Sequence, residues 1–302
     1  MKIRSAIPLI GMPVMLLLVE IGALLLSLPM KEAGIMAFQD PSSAVNPLIF
    51  IGILLVFTAI LLLLLRYRYR SLITVIIAVS IYFTFVYIFG SITILFAGSS
   101  ILGIVLPLII AGVAIFVMYR YPEWYVIDIL GILIAAGAAS IFGISLDIIP
   151  VIILLVILAV YDAISVYKTK HMITLAEGVL EMKTPILFVI PKNTTYSYIR
   201  DGIGKIGEGE RGAFILGMGD LIMPSILVVS ANVFINPAIV TFVNIPAIGT
   251  IAGSLAGLLV VLWFVNKGKP QAGLPPINSG AIIGFLIGCA ISGSWAWAGF
   301  SI

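Results

Sequence analysis

Charge is what this sequence has least of. Lys, Arg, Asp and Glu make up 10% of its 302 residues, where a soluble domain carries about 25%, and that scarcity excludes an ordinary water-soluble fold. Cysteine is almost missing. Cys289 is the single one and lies in an apolar run, so there is neither a disulfide framework nor a cysteine metal site. Histidine is equally rare: His171 stands alone in a polar connection, which rules out an H-E-x-x-H zinc site and a Ser–His pair inside an apolar segment. The sequence has no Gly-x-x-x-x-Gly-Lys-Ser/Thr phosphate loop, which argues against an ATP-driven pump. No metal and no cofactor is expected. The net charge of +3 comes from basic residues in connections between apolar runs, so no nucleic-acid partner is inferred.

What the sequence does have is long apolar runs, with 62% hydrophobic residues overall. A hydrocarbon core of about 30 Å needs roughly 20 apolar residues per helix. Nine candidate spans follow one another, near 6–30, 47–65, 71–91, 96–119, 124–145, 148–167, 212–236, 240–265 and 277–299. The expected fold is therefore all-α: one polytopic membrane bundle of nine transmembrane helices surrounded by lipid. The run from Ile7 to Pro29 exceeds the roughly 7–15 residues of a signal-peptide core, so it is read as a retained first span. The weakest break lies between spans three and four, where Gly90, Ser91, Gly98, Ser99 and Ser100 interrupt an uncharged run.

Lys and Arg concentrate in cytoplasmic connections. With the N-terminus inside and nine spans, all of the 16 basic residues except Lys31 fall on the cytoplasmic side. That sorting predicts a cytoplasmic N-terminus and a C-terminus on the opposite side. It also divides the chain into spans one to six (1–167), a cytoplasmic loop (168–211) and spans seven to nine (212–302). Within the loop, Met172, Leu175, Ala176, Val179 and Met182 recur at helical spacing, which fits an interfacial amphipathic helix. An apolar stretch, 186–190, lies between Pro185 and Pro191, and a Gly-rich charged segment, 192–212, reads as flexible.

An ionisable side chain in hydrocarbon costs roughly 2.5–3.5 kcal/mol, so each one requires a reason. Asp128 lies four residues beyond Trp124 and is read as reaching the interface. Glu20 sits mid-span and is read as a hydrogen-bonded packing residue facing the bundle, with a place beside a water path as the other reading. Asp162 and Asp220 match each other. At about 1.5 Å per residue, Asp162 lies roughly 9 Å from Lys168 and Asp220 roughly 13 Å from Arg211, at similar depth on consecutive antiparallel spans. Two carboxylates brought together at low dielectric share a proton, which suits a pair that activates water with one member and hydrogen-bonds a carbonyl with the other.

The neighbourhood of Asp220 fits. In Gly217-Met218-Gly219-Asp220 two glycines permit close approach of another helix or a substrate strand. Pro224, four residues on, leaves the Asp220 carbonyl without its helical partner. Backbone left open at membrane depth is tolerated where it lines a cavity.

Tyr161-Asp162 in span six with Gly217-Met-Gly-Asp220 in span seven resembles the Tyr-Asp and Gly-x-Gly-Asp motifs of the presenilin and signal peptide peptidase family of intramembrane aspartyl proteases. The resemblance covers about 150–302 in motif and the first five spans in topology. It implies a presenilin-like fold and an aspartic endopeptidase that hydrolyses peptide bonds within transmembrane segments of membrane proteins, with Asp162 and Asp220 as the catalytic pair. The family's Pro-Ala-Leu motif before the last span corresponds to Ala272-Gly273-Leu274-Pro275, which keeps Leu-Pro and replaces the preceding Pro and Ala. By resemblance these four residues, with Tyr161, Gly217, Met218 and Gly219, position the substrate. Asp220-Leu-Ile-Met-Pro224 is similar to signal peptide peptidases, whereas an inside N-terminus is similar to presenilins. The compact chain points to a microbial cell membrane.

The competing class is a secondary transporter or ion channel, in which intramembrane acids carry protons or bind cations. Asn232, Asn236 and Asn244 would suit it. Nine spans do not halve, however, and the segment bearing each Asp is not repeated.

Overall fold

The computed structural model describes residues 6–98, 100–169, 187–193, 195–202, 212–235, 242–265 and 272–299. Among them are nine apolar helices: α1 (Ala6–Glu32), α2 (Asn46–Arg66), α3 (Arg70–Ala97), α4 (Ile101–Arg120), α5 (Trp124–Ser145), α6 (Ile148–Ile164), α7 (Met218–Phe234), α8 (Ile245–Val265) and α9 (Leu274–Ser292). Eight have the length and hydropathy to cross a bilayer, counting α6 together with the π-helical turn Ser165–Thr169 that continues it. The ninth, α7, is shorter. Polar side chains mark several of the helix starts. Ser100 accepts from the Gly103 N–H and Asp147 from the Ile148 N–H, while Asn244 accepts from the Ala247 N–H at the head of α8.

Three expected boundaries shift. α3 runs on through Gly90 and Ser91 to Ala97, and the break falls at 98–100 instead of 91–96, where Gly98 takes a positive φ of 59° and Ser100 caps the next helix. The seventh span does not begin at 212, because Ala213–Gly217 is a strand, β2. It pairs antiparallel with β1 (Leu187–Pro191), Leu187 opposite Gly217 and Pro191 opposite Ala213. The described residues are thus helical with one two-stranded hairpin built into them. The last helix starts at Leu274 and stops at Ser292, after which Gly293 turns left-handed and Trp297 folds back on Phe285, ring centroids 5.3 Å apart. Pro275 and Pro276 occupy the first turn of α9, where a missing N–H costs no helical bond. The amphipathic segment, His171 and Asn236 lie outside the described residues.

Helices in lipid associate through close packing, which favours small side chains. The stretch Ala135-Ala-Gly-Ala-Ala-Ser-Ile-Phe-Gly143 on α5 provides it. A methyl group added at Gly137 would meet Ile88 of α3 at 2.4 Å, one at Gly143 would meet Val229 of α7 at 2.5 Å, and one at Gly22 of α1 would meet Ala136 at 3.0 Å. α5 therefore gathers α1, α3 and α7 around itself, and 223–231 of α7 is buried throughout.

The tightest pair is α8 with α9. Gly249, Gly253 and Gly257 face Gly280, Gly284 and Gly288 at four-residue spacing, and a methyl at Gly253 would stand 2.0 Å from the Gly280 carbonyl oxygen. This pair carries Ala272–Pro275 to the site.

Candidate active site

On α6, Val151, Leu155, Leu158 and Asp162 are buried at alternating spacings of four and three residues, so Asp162 sits on the stripe that faces the bundle. It is 7% exposed. Just beyond it the helix widens into the π-helical turn, and there the Tyr167 hydroxyl accepts from the Ala272 N–H at 3.4 Å.

Asp220 is reached differently. β2 delivers the chain to Gly217, whose extended backbone (φ −65°, ψ 134°) precedes the first helical residue, Met218. Asp220 is the third residue of α7, half-buried, in the turn where backbone N–H groups lack helical partners and the helix dipole favours negative charge. Its carboxyl leans back over Gly217, where an added methyl would lie 3.4 Å from Oδ2. Gly219 is exposed, with open space where a side chain would go. A helical rise between Arg211 and Asp220 does not apply, because the five residues of β2 advance about 3.3 Å each.

The two acids converge on one dipeptide. The Leu274 N–H donates to Asp162 Oδ2 at 3.1 Å, with the Gly273 amide turned toward the same carboxylate. A methyl on Gly273 would lie 3.0 Å from Asp220 Oδ2 and 3.3 Å from Oδ1. Both carboxylates thus border the same Gly273–Leu274 backbone. The start of α9 therefore forms one wall of the site, with the space over Gly219 beside it.

Other expected residues fall as follows. Tyr161 is half-buried directly before Asp162, and Ala272 is buried at the end of the approach to α9. Leu274 and Pro275 are half-buried in its first turn. Met218, grouped with the substrate-facing residues by its motif, is 7% exposed and packs into the core, its methyl over Gly131 of α5. The glycines of Gly217-Met-Gly do not seat a neighbouring helix among the described residues: within 4 Å a methyl at Gly217 would meet only the Asp220 carboxyl, and one at Gly219 would meet nothing. Asp128 does not reach the interface. It is 3% exposed and accepts from the Val189 N–H of β1 at 2.8 Å. Glu20 is fully buried and accepts from Ser254 Oγ of α8 at 2.6 Å, as a packing residue would. The hairpin and Tyr167 were not foreseen; the β-branched and aromatic content of 186–190 and 213–217 is the signal that could have shown the hairpin.

The sequence profile of the family described as signal-peptide peptidase, presenilin aspartyl protease matches residues 13–294. The chain belongs to this family. Two solved structures of a presenilin family intramembrane aspartate protease, from different crystal forms, are 49% and 51% identical to it. Each match covers 94% of this chain and 98% of the other, with TM-scores of 0.69 and 0.71. No curated protein sequence matches. The chain is accordingly a multi-pass integral membrane protein and an intramembrane aspartic endopeptidase whose substrates are transmembrane proteins. The transporter reading finds no support: Asn232 and Asn244 tie α7 to the head of α8, with Asn244 Nδ2 donating to the Ala231 carbonyl at 2.7 Å and its N–H to Asn232 Oδ1 at 2.9 Å.

Proposed function

We propose that Asp162 and Asp220 are the catalytic pair of this protease. The observation that carries the assignment is their convergence on Gly273–Leu274. In the working state one carboxylate is ionised and removes a proton from the attacking water as its oxygen bonds to the scissile carbonyl carbon. The other, protonated, donates a hydrogen bond to the carbonyl oxygen. The tetrahedral intermediate collapses when the leaving nitrogen takes a proton from the pair, the C–N bond breaks, and the shared proton is restored. Tyr161 and Tyr167 flank Asp162 and hold the approach to it, Tyr167 through Ala272.

A helical transmembrane segment conceals its peptide bonds, so the substrate must be unwound locally before attack. The hairpin offers the edge for this. Lys192 N–H donates to the Gly212 carbonyl, whereas Val189 N–H turns away to Asp128. By the alternation of antiparallel pairing, Phe188 and Ile190 bond to β2, while the backbone groups of Ile215 and the N–H of Gly217 point outward; the Gly217 carbonyl belongs to the first turn of α7. A substrate strand added there leads straight to Asp220, and Ala272–Pro275 closes the opposite side. The protein lies in a microbial cell membrane with its N-terminus and the 168–211 loop cytoplasmic and its C-terminus on the other side, an orientation supported by the basic residues.

The test is cleavage of a labelled transmembrane peptide by purified protein. Asp162→Asn and Asp220→Asn each lower the rate by about 10³-fold or more while the protein still inserts and purifies, because an amide cannot exchange the proton. Activity near wild type in either variant would remove the pair from the mechanism.

A further inference from the structure

We infer that Asp128 of α5 is a positioning residue that fixes which substrate bond is cut, by holding β1, and through it the open edge of β2, in register. This rests on the strand-addition reading above.

A two-stranded sheet has two edges. On the inner one, the N–H of Val189 points away from β2 into a region where Val189 is only 1% exposed. Asp128 Oδ1 meets it at 2.8 Å and stands where a third strand would otherwise supply an acceptor. With that edge closed, only β2 is left to receive a strand.

The same bond addresses register. β1 reads Leu187-Phe-Val-Ile-Pro191, apolar at every position, and is wedged between α1 and α5. A methyl at Gly11 would be 3.2 Å from Ile190 Cγ2, and one at Gly131 would be 3.0 Å from the Phe188 ring. Such a strand can slip by two residues and still present apolar side chains to the same faces, so hydrophobic burial specifies its register weakly. A directional bond to one N–H specifies it strongly. Pro191, two residues along, has no N–H to offer, and Leu187 lies at the beginning of the strand. A second acid on the same side of the bundle, Glu123 at the head of α5, accepts from Ser197 Oγ at 2.7 Å and Tyr198 N–H at 3.0 Å. It secures the one-turn helix Tyr198–Asp201 that follows β1. Beside that turn the Tyr196 hydroxyl donates to the Gly202 carbonyl at 2.8 Å.

Among the described residues Asp128 uses one oxygen only, and Oδ2 is buried without a partner. Asn therefore preserves the acceptor, and Leu removes it at similar size. The experiment compares Asp128→Leu, Asp128→Asn, Val189→Pro and Ile215→Pro with the wild type on one labelled transmembrane peptide, reading the bonds cut by product mass together with kcat and KM. Asp128→Leu is expected to spread cleavage onto bonds two residues away and to raise KM about tenfold, while Asp128→Asn restores the single cut. Val189→Pro, which deletes the donor instead of the acceptor, gives the same spread and serves as the test should the Leu variant not fold. A single wild-type cut site at wild-type KM in Asp128→Leu or Val189→Pro overturns the proposal. Ile215→Pro deletes an outward N–H of β2 and should cleave poorly. Wild-type cleavage by this variant would instead sink the strand-addition reading, so the two failures are distinguishable.

Discussion

The main-chain N–H of Leu274 donates to Oδ2 of Asp162 across 3.1 Å, joining residues 112 apart in sequence at the place where α6 and α9 meet. The preceding residue, Gly273, rests against the other acid. One dipeptide thus sets the spacing of both carboxylates, and its geometry is open to direct test.

At Gly273 the family motif has Ala, and an added methyl would stand 3.0 Å from Asp220 Oδ2, close enough that the carboxyl must give by a few tenths of an ångström. A carboxyl can do so by turning about its side-chain bonds, as backbone cannot. Gly273→Ala should therefore lower kcat only about two- to fivefold with KM nearly unchanged, whereas the branched side chain of Gly273→Val, with no such relief, costs about 10²-fold. Steady-state kinetics on the transmembrane peptide decide it. Equal effects of Ala and Val would mean that the contact with Asp220 does not limit the rate.

The α8–α9 contact predicts a loss of stability. A methyl at Gly253 would lie 2.0 Å from the Gly280 carbonyl oxygen, and backbone cannot swing aside as a side chain can. Gly253→Ala is expected to cost about 1–3 kcal/mol, read as a lowered melting temperature in detergent. Gly52→Ala on α2, with nothing within 4 Å of the new methyl, is the control and should melt as the wild type does.

Much of this was legible in the sequence because lipid simplifies the rules. Backbone groups must be satisfied within each segment, so uncharged runs identified the helices, and the cost of an acid in hydrocarbon drew attention to Glu20, Asp128, Asp162 and Asp220, of which motif resemblance separated the proposed pair. The hairpin was not legible by the same rule. Ala213-Phe-Ile-Leu-Gly217 is as apolar as a helix, and only its pairing with Leu187–Pro191, across a polar loop, makes it a strand. Asp128 was misjudged for the same reason, since its partner is a backbone N–H 61 residues away. The facing glycines of α8 and α9 stood in plain view at four-residue spacing, but which two helices they join is a tertiary relationship that spacing on one helix does not encode.

The proposed orientation predicts the outcome of accessibility labelling. Cysteines introduced singly at exposed positions of 192–202, in a background where Cys289 is replaced by Ser, should react with an impermeant thiol reagent from the cytoplasmic side. A cysteine at 302 should react from the opposite side. Reaction of both from one side would contradict the nine-span orientation, since three crossings, spans seven to nine, separate 192–202 from 302.

The dependence of cleavage on pH tests the shared proton itself. The proposed mechanism needs one of Asp162 and Asp220 ionised to take a proton from water and the other protonated to hold the scissile carbonyl oxygen. As pH falls, the ionised member gains a proton, the base is lost and the rate drops. As pH rises, the second proton leaves, nothing donates to the carbonyl oxygen and the rate drops again. The profile of kcat/KM is therefore bell-shaped, and its two limbs belong to the pair, not to either residue, because the proposed carboxylates border one dipeptide and share one proton. The measurement follows peptide-bond cleavage in detergent, where no proton gradient exists, so a limb cannot arise from coupled transport. Folding is checked at each pH by returning the protein to the optimum and recovering full activity. A rate that keeps climbing toward high pH, with no alkaline limb, is incompatible with a carboxyl that must stay protonated. It would leave Asp162 or Asp220 acting alone.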